Sequence, residues 1–196
     1  MNGKASKVAE EFGKFVGEVQ VEWVSHSGPD RDMKLLSDFS YVDAAGTPWR
    51  APKGHVVNGA SIPAIFWQIA GPPFVGDYRR ASVVHDVYCD TRTESWKRTH
   101  RMFFHACRAG GVGEARAKAM YAAVYARGPR WEVATKDLEI FDGTMAQKGS
   151  VLIIANQIDD GDLMQVVKQA DENALSLEQI ESSIDQKSKL SAFPDR

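Results

Sequence analysis

Two hydrophobic periodicities divide this chain, and the switch between them falls just after Pro63. Before it, Val19, Val21 and Trp23 alternate with Gln20 and Glu22, the period-2 pattern of a half-buried strand. Met33 to Val42 reads as a second strand, Asp43-Ala44-Ala45-Gly46 as a turn, and Pro48 to Val57 as a third extended piece. Pro52 and Gly54 interrupt that third piece, which places it at a sheet edge. A short amphipathic helix over 5–16, with Val8, Phe12 and Val16 on one side, precedes the strands.

After Pro63, caps and breakers mark out helices. A short one over 64–70 stops at Gly71-Pro72-Pro73. Asp77 is placed to cap a helix through Cys89, and Thr93 or Ser95 to cap another through Ala109, closed by Gly110-Gly111. Gly113 to Ala126 forms a third, ended by Gly128-Pro129. The pattern predicts an α+β fold, a small antiparallel sheet followed by a helical group. Beyond Trp131 the sequence suggests a strand over 150–155 and amphipathic acidic helices over 162–175 and 176–190. We therefore expect a core domain over 1–130 and an acidic accessory tail over 131–196.

Charge follows the same division. The chain has 196 residues and a formal net charge of only −2. Asp77 to Arg130 nevertheless carries 11 Lys/Arg against 5 Asp/Glu, and Trp131 to Arg196 carries 6 against 13. The basic half is suited to an anionic polymer or membrane surface, or to cover by the acidic tail. No basic stripe with interleaved stacking aromatics occurs, which argues against nucleic acid as a partner. Cys89 and Cys107 make neither a disulfide framework nor a zinc-finger spacing. The start, MNGKASKVAEEFGKF, lacks the apolar region of a signal peptide, and no run of 18 apolar residues appears. The expectation is cytoplasmic synthesis without a transmembrane segment, so that work outside the cytoplasm requires delivery or release to the periplasm of a target cell.

Chemistry concentrates between Asn58 and Asp90. His85 is a candidate general base near neutral pH, and Asp86 a group to orient it, hold a water or bind a metal. Adjacent helical residues point about 100° apart, so one of the pair can face a pocket while the other supports it. Tyr88 and Cys89 follow His85 by three and four residues, on one helical face. Ser61 either caps the next turn or serves as a nucleophile with His85 as its base, although no G-x-S-x-G elbow is present. His100 joins His85 and Asp86 as a candidate zinc ligand by donor type, whereas His105 projects about 140° from it. Asn58, Tyr88 and His100 are candidate substrate-binding residues.

The ordered set Val57-Asn58-Gly59-Ala60-Ser61-Ile62-Pro63, Phe66-Trp67, Gly71-Pro72-Pro73, Tyr78-Arg79-Arg80-Ala81-Ser82 and Val84-His85-Asp86-Val87-Tyr88 resembles a family of unknown function found in phages, prophages and bacterial genomes, DUF1353. The resemblance spans roughly Phe39 to Arg130. It departs from the family pattern at Asn58, where an aspartate is usual, at Thr99-His100 in place of Ala-Asp, and at Cys89 in place of tyrosine. The His85-Asp86 helix is also similar to that of secreted phospholipases A2, in which histidine activates water and aspartate holds calcium. That likeness is a local analogy, because their cysteine framework and Gly-rich calcium loop are missing here. Donor type thus points to zinc, and the phospholipase likeness to calcium, as the divalent metal to consider.

These residues support three functional readings. In the first the chain is a hydrolase of the bacterial envelope, acting on peptidoglycan or phospholipid as a phage-lysis or secretion-system effector. His85 is then the base, Asp86 its orienter, and Ser61, Asn58 and His100 line the pocket. The second is a Cys/His peptidase or amidase using Cys89 or Cys107, for which one helix carrying both Cys89 and His85 is an unusual arrangement. In the third the protein is a non-catalytic phage or effector accessory protein whose polar cluster holds turn and helix together. The acidic tail offers a surface for an immunity or delivery protein in any of the three.

Overall fold

In a computed structural model, the structure describes residues 7, 10–24, 32–58, 76–133, 140–141, 144–145, 151–172 and 175–191. The Gly59–Pro63 segment with Ser61, and the helix expected over 64–70, lie outside the described residues.

The period-2 region forms strands β1 (Lys14–Val16), β2 (Val21–Trp23), β3 (Met33–Leu35), β4 (Phe39–Val42), β5 (Pro48–Ala51) and β6 (Val56–Val57). They build two three-stranded antiparallel sheets, in the orders β1-β4-β5 and β2-β3-β6. The expected edge pieces β5 and β6 each close one sheet. Alternation sends Met33, Leu35, Phe39, Tyr41, Trp49 and Ala51 inward. The β4–β5 turn is held by Asp43, whose Oδ1 accepts from Ala45 N–H at 3.0 Å and Thr47 N–H at 2.8 Å, and whose Oδ2 accepts from the Trp49 indole at 3.1 Å.

Two details differ from the sequence expectation. The N-terminal helix ends at Phe12, and Val16 belongs to β1, where it is exposed. Gly13 explains the break: its φ is +82°, and a Cβ there would fall 2.1 Å from the Val42 carbonyl oxygen. The stretch from Met33 to Val42 is two strands, separated by Leu36-Ser37-Asp38.

The helices are α1 (Arg79–Thr91), α2 (Trp96–Ala109) and α3 (Glu114–Arg127). Ser95 caps α2 by accepting from Arg98 N–H, as expected. Asp77 does not cap α1, which starts after Tyr78 without a side-chain cap. Burial of Ala81, Val83, Val84 and Val87 against the sheets and α2 fixes that helix instead. Strands β7 (Arg130–Val133), β10 (Val151–Gln157) and β11 (Lys189–Ser191) form an antiparallel sheet in the order β11-β10-β7, and β8 (Ile140–Phe141) pairs with β9 (Thr144–Met145). Helices α4 (Asp160–Asp171) and α5 (Leu177–Lys187) start at Asp159 and at a Ser176/Gln179 capping box.

The fold is α+β, with helices packed beside small antiparallel sheets. Leu163, Val166, Val167 and Ala170 of α4 and Ile180 and Ile184 of α5 join the same buried cluster as α1–α3. The acidic segment also pairs with the basic helices. Arg101 bonds Glu181 at 2.6 Å and Glu178 at 3.1 Å, and Arg127 pairs with Asp160. Among the described residues no helix is long and apolar enough to cross a membrane.

Candidate functional site

His85 and Cys89 are one turn apart on α1, and His100 projects from the first turns of α2. Packing of these two helices against each other brings the three together. His85 Nε2 and His100 Nδ1 share a hydrogen bond at 2.9 Å, and Cys89 Sγ lies 3.5 Å from His85 Nε2 and 3.7 Å from Nδ1. Both histidines are fully buried and Cys89 nearly so. Burial pushes the His85 imidazolium down to about pKa 3. His100 is likewise held well below the ordinary histidine value, first by burial and then by His85 and the Arg130 cation. At neutral pH the pair is therefore uncharged.

Aromatic rings enclose this cluster. His85 lies 4.9 Å from the Phe103 ring centre, and Trp96 and Trp131 stand edge-on to His100 at 5.6 and 6.3 Å. His100 Nε2 is buried without a hydrogen bond of normal geometry, and the Pro129 carbonyl lies beside the ring. Gly128 closes over it: a Cβ there would lie 3.1 Å from His100 Nε2 and 2.4 Å from the Val124 carbonyl oxygen. The C-terminus of α3 thus has to carry glycine for the imidazole to fit.

A cleft of about 630 Å³ opens beside the cluster, lined by Val56, Asn58, Asp86, Cys89, Asp90, Arg127 and Pro129. Asp86 Oδ2 accepts from the Asn58 N–H at 2.8 Å, so the chain leaving β6 is pinned to α1 at the cleft rim. His55 adds a second link, its Nε2 lying 3.3 Å from Asp90 Oδ2.

Of the residues singled out in the sequence, the structure brings His85 and His100 together and puts Asp86 and Asn58 at the cleft. Asp86 is not part of the histidine cluster; Cys89 occupies that place. Tyr88 turns the other way, its ring 4.8 Å from Trp49 and its hydroxyl oxygen accepting from Arg50 N–H. Ser61 lies outside the described residues. Cys107 is fully buried, its thiol pushed up by that burial, and it packs in the core. His105 packs against Phe12 and edge-on to Phe104, away from the cluster. Sequence reasoning gave no role to Asp90, Arg127 or Pro129, which come from helix ends with no local motif around them.

Comparison with known proteins places this arrangement inside a shared segment. Residues 33–124 match the family described as Protein of unknown function (DUF1353). The matched segment holds Asn58, His85, Asp86, Cys89 and His100, whereas Arg127 and Pro129 lie just beyond it. Two relatives come from Sinorhizobium fredii (strain NBRC 101917 / NGR234). The chain is 44% identical to Uncharacterized protein y4jT over 131 residues, 67% of this chain and 39% of that protein. It is 45% identical to Uncharacterized protein y4iH over 103 residues, 52% of this chain and 43% of that protein. The chain thus spans about two fifths of the length of the curated relatives it matches. No solved structure matches.

Proposed function

We propose that this protein is a hydrolase that works in the cleft between β6, α1 and the end of α3, on a peptidoglycan or phospholipid bond of the bacterial envelope. The observation that carries the proposal is the layering of that cleft. Asp86 and Cys89 line it, and an uncharged His85 stands directly behind Cys89. An imidazole that is unprotonated at pH 7 has a lone pair to accept a hydrogen bond from a nucleophile, and substrate charge in the cleft is needed to raise a base held this low toward the operating pH. Asp86, fixed by Asn58, offers a carboxylate at the rim to orient water or substrate. Arg127 adds a cation to the same cleft, and peptidoglycan peptides and phospholipids both carry anionic groups. The resemblance to a phage-associated family supports an envelope target reached by lysis or by delivery into the periplasm. An immunity or delivery partner on the acidic segment would meet the outer faces of α4 and α5, because their inner faces are buried.

One observation favours a second reading. Cys89 contacts His85 although both lie on α1, so a cysteine peptidase or amidase with Cys89 as nucleophile has the required adjacency.

The test compares periplasm-directed and cytoplasmic expression of wild type, Asp86→Asn, Cys89→Ser and His85→Ala, each checked for folding. Lysis or growth arrest from the periplasmic wild type alone supports the hydrolase, and released muropeptides or fatty acids name the bond. Loss on Cys89→Ser, with Asp86→Asn still active, favours the cysteine enzyme. No effect from any of these proteins, all of them folded, overturns both in favour of an accessory protein in which the His85–His100 bond only ties α1 to α2.

A further inference from the structure

We infer that His85, Cys89 and His100 form a binding site for a zinc-class transition metal, with the open coordination position on the cleft side. One ligand atom from each residue lies within 4.8 Å of the others. Tetrahedral zinc with bonds of about 2.0–2.1 Å to nitrogen and 2.3 Å to sulfur sets N–N separations of about 3.3 Å and S–N separations of about 3.6 Å. Cys89 Sγ to His85 Nε2 already measures 3.5 Å. His85 Nε2 to His100 Nδ1 measures 2.9 Å, so the two rings need to part by only a few tenths of an ångström.

The donor set also speaks for the metal. Two imidazoles and one thiolate suit zinc, and a hard cation such as calcium prefers oxygen ligands. The carboxylate that would favour calcium, Asp86, is turned to the Asn58 amide instead. His85 and Cys89 at i and i+4 project from one face of α1, and His100 reaches them from α2. An orienting group for His100 is near as well. A metal on His100 Nδ1 fixes its proton on Nε2, and a backbone carbonyl, such as that of Pro129 beside this ring, is a usual orienting partner of a ligating histidine.

Binding balances without a co-reactant. The proton of the histidine–histidine hydrogen bond moves to the outer ring nitrogen of whichever histidine donates it, and Cys89 releases its thiol proton to solvent, one proton per ion. Three protein ligands leave a fourth position, and Cys89 lines the cleft, so water or substrate completes the sphere there. With metal bound, Cys89 is a ligand and not a nucleophile. This site does not require the hydrolase reading, since a metal that only ties α1 to α2 has the same ligands.

The experiment titrates Co²⁺, then Zn²⁺, into the chelator-treated 196-residue protein and into its Cys89→Ser and Asp86→Asn variants. One equivalent of cobalt should give tetrahedral absorption with a thiolate-to-cobalt charge-transfer band, displaced by one equivalent of zinc. Cys89→Ser, close to isosteric, should keep its near-ultraviolet circular dichroism, lose the charge-transfer band and bind zinc more than roughly 100-fold more weakly, beyond the 10–100-fold typical of outer-shell losses. Asp86→Asn should leave the band unchanged. Absence of saturable binding, or a band that survives Cys89→Ser, overturns the site. Binding without envelope activity rejects the hydrolase alone, and activity without binding rejects the metal alone.

Discussion

Between α1 and α2, three polar side chains sit almost out of reach of water and the two histidines among them are neutral, whereas the polar groups between α2, α3 and the acidic segment are charged and border solvent. His85, Cys89 and His100 are buried, and the histidines are held neutral. Around Arg101 the guanidinium is partly exposed, reaches Glu178 and Glu181, and is held more firmly protonated by the Glu181 hydrogen bond. The difference follows from solvation. A charge in the first place would lack water and lack an opposite partner, so the groups stay neutral and share protons. In the second place water screens each charge and the partners are close, so ionisation costs little and each pair adds little.

The sharpest way to break this comparison is to delete the buried imidazole. His85→Ala leaves a core cavity and strands His100 Nδ1, and should lower unfolding stability by about 3 kcal/mol in denaturant titration. A loss below about 1 kcal/mol would mean the pair is not buried in solution. Acid should act on the same groups. The folded His85 value lies near 3, below the ordinary 6.5, so the unfolded chain binds the extra proton first. Its stabilising contribution is complete above about pH 6.5 and is lost as pH falls toward 3, at about 1.4 kcal/mol per pH unit. His85→Ala should flatten that part of the profile.

Gly128→Ala comes next, at about 2 kcal/mol, because its Cβ would meet the Val124 carbonyl and the His100 ring. Tyr121→Phe tests the charged side of the comparison. Tyr121 donates to Glu181 at 2.5 Å, and losing that bond should cost about 1.5 kcal/mol. The smallest effect belongs to Lys187→Ala at the exposed Asp162 pair, within about 0.5 kcal/mol and vanishing in high salt. A larger value there would show that the acidic helices are held by charge and not by Leu163, Ile180 and Ile184.

Sequence made much of the helical half legible because its limits are local chemistry, such as Ser95 before α2 and Gly128-Pro129 after α3. The N-terminal helix misled, since Gly13 is demanded by the distant Val42 carbonyl, which no window of sequence contains. The site was partly legible. His85–Cys89 spacing put both on one face, but which of His85 and Asp86 turns inward depends on the packing of α2 and β6. Arg127 and Pro129 reach the cleft from the far end of α3, and only the assembled fold reveals that.

The tryptophans around His100 give the cluster an optical voice. Trp96 and Trp131 stand edge-on to that ring at 5.6 and 6.3 Å. A neutral imidazole, an imidazolium and a metal-bound imidazole quench indole emission to different extents. The native fluorescence of the intact chain should therefore respond to the state of this histidine pair, with no label attached.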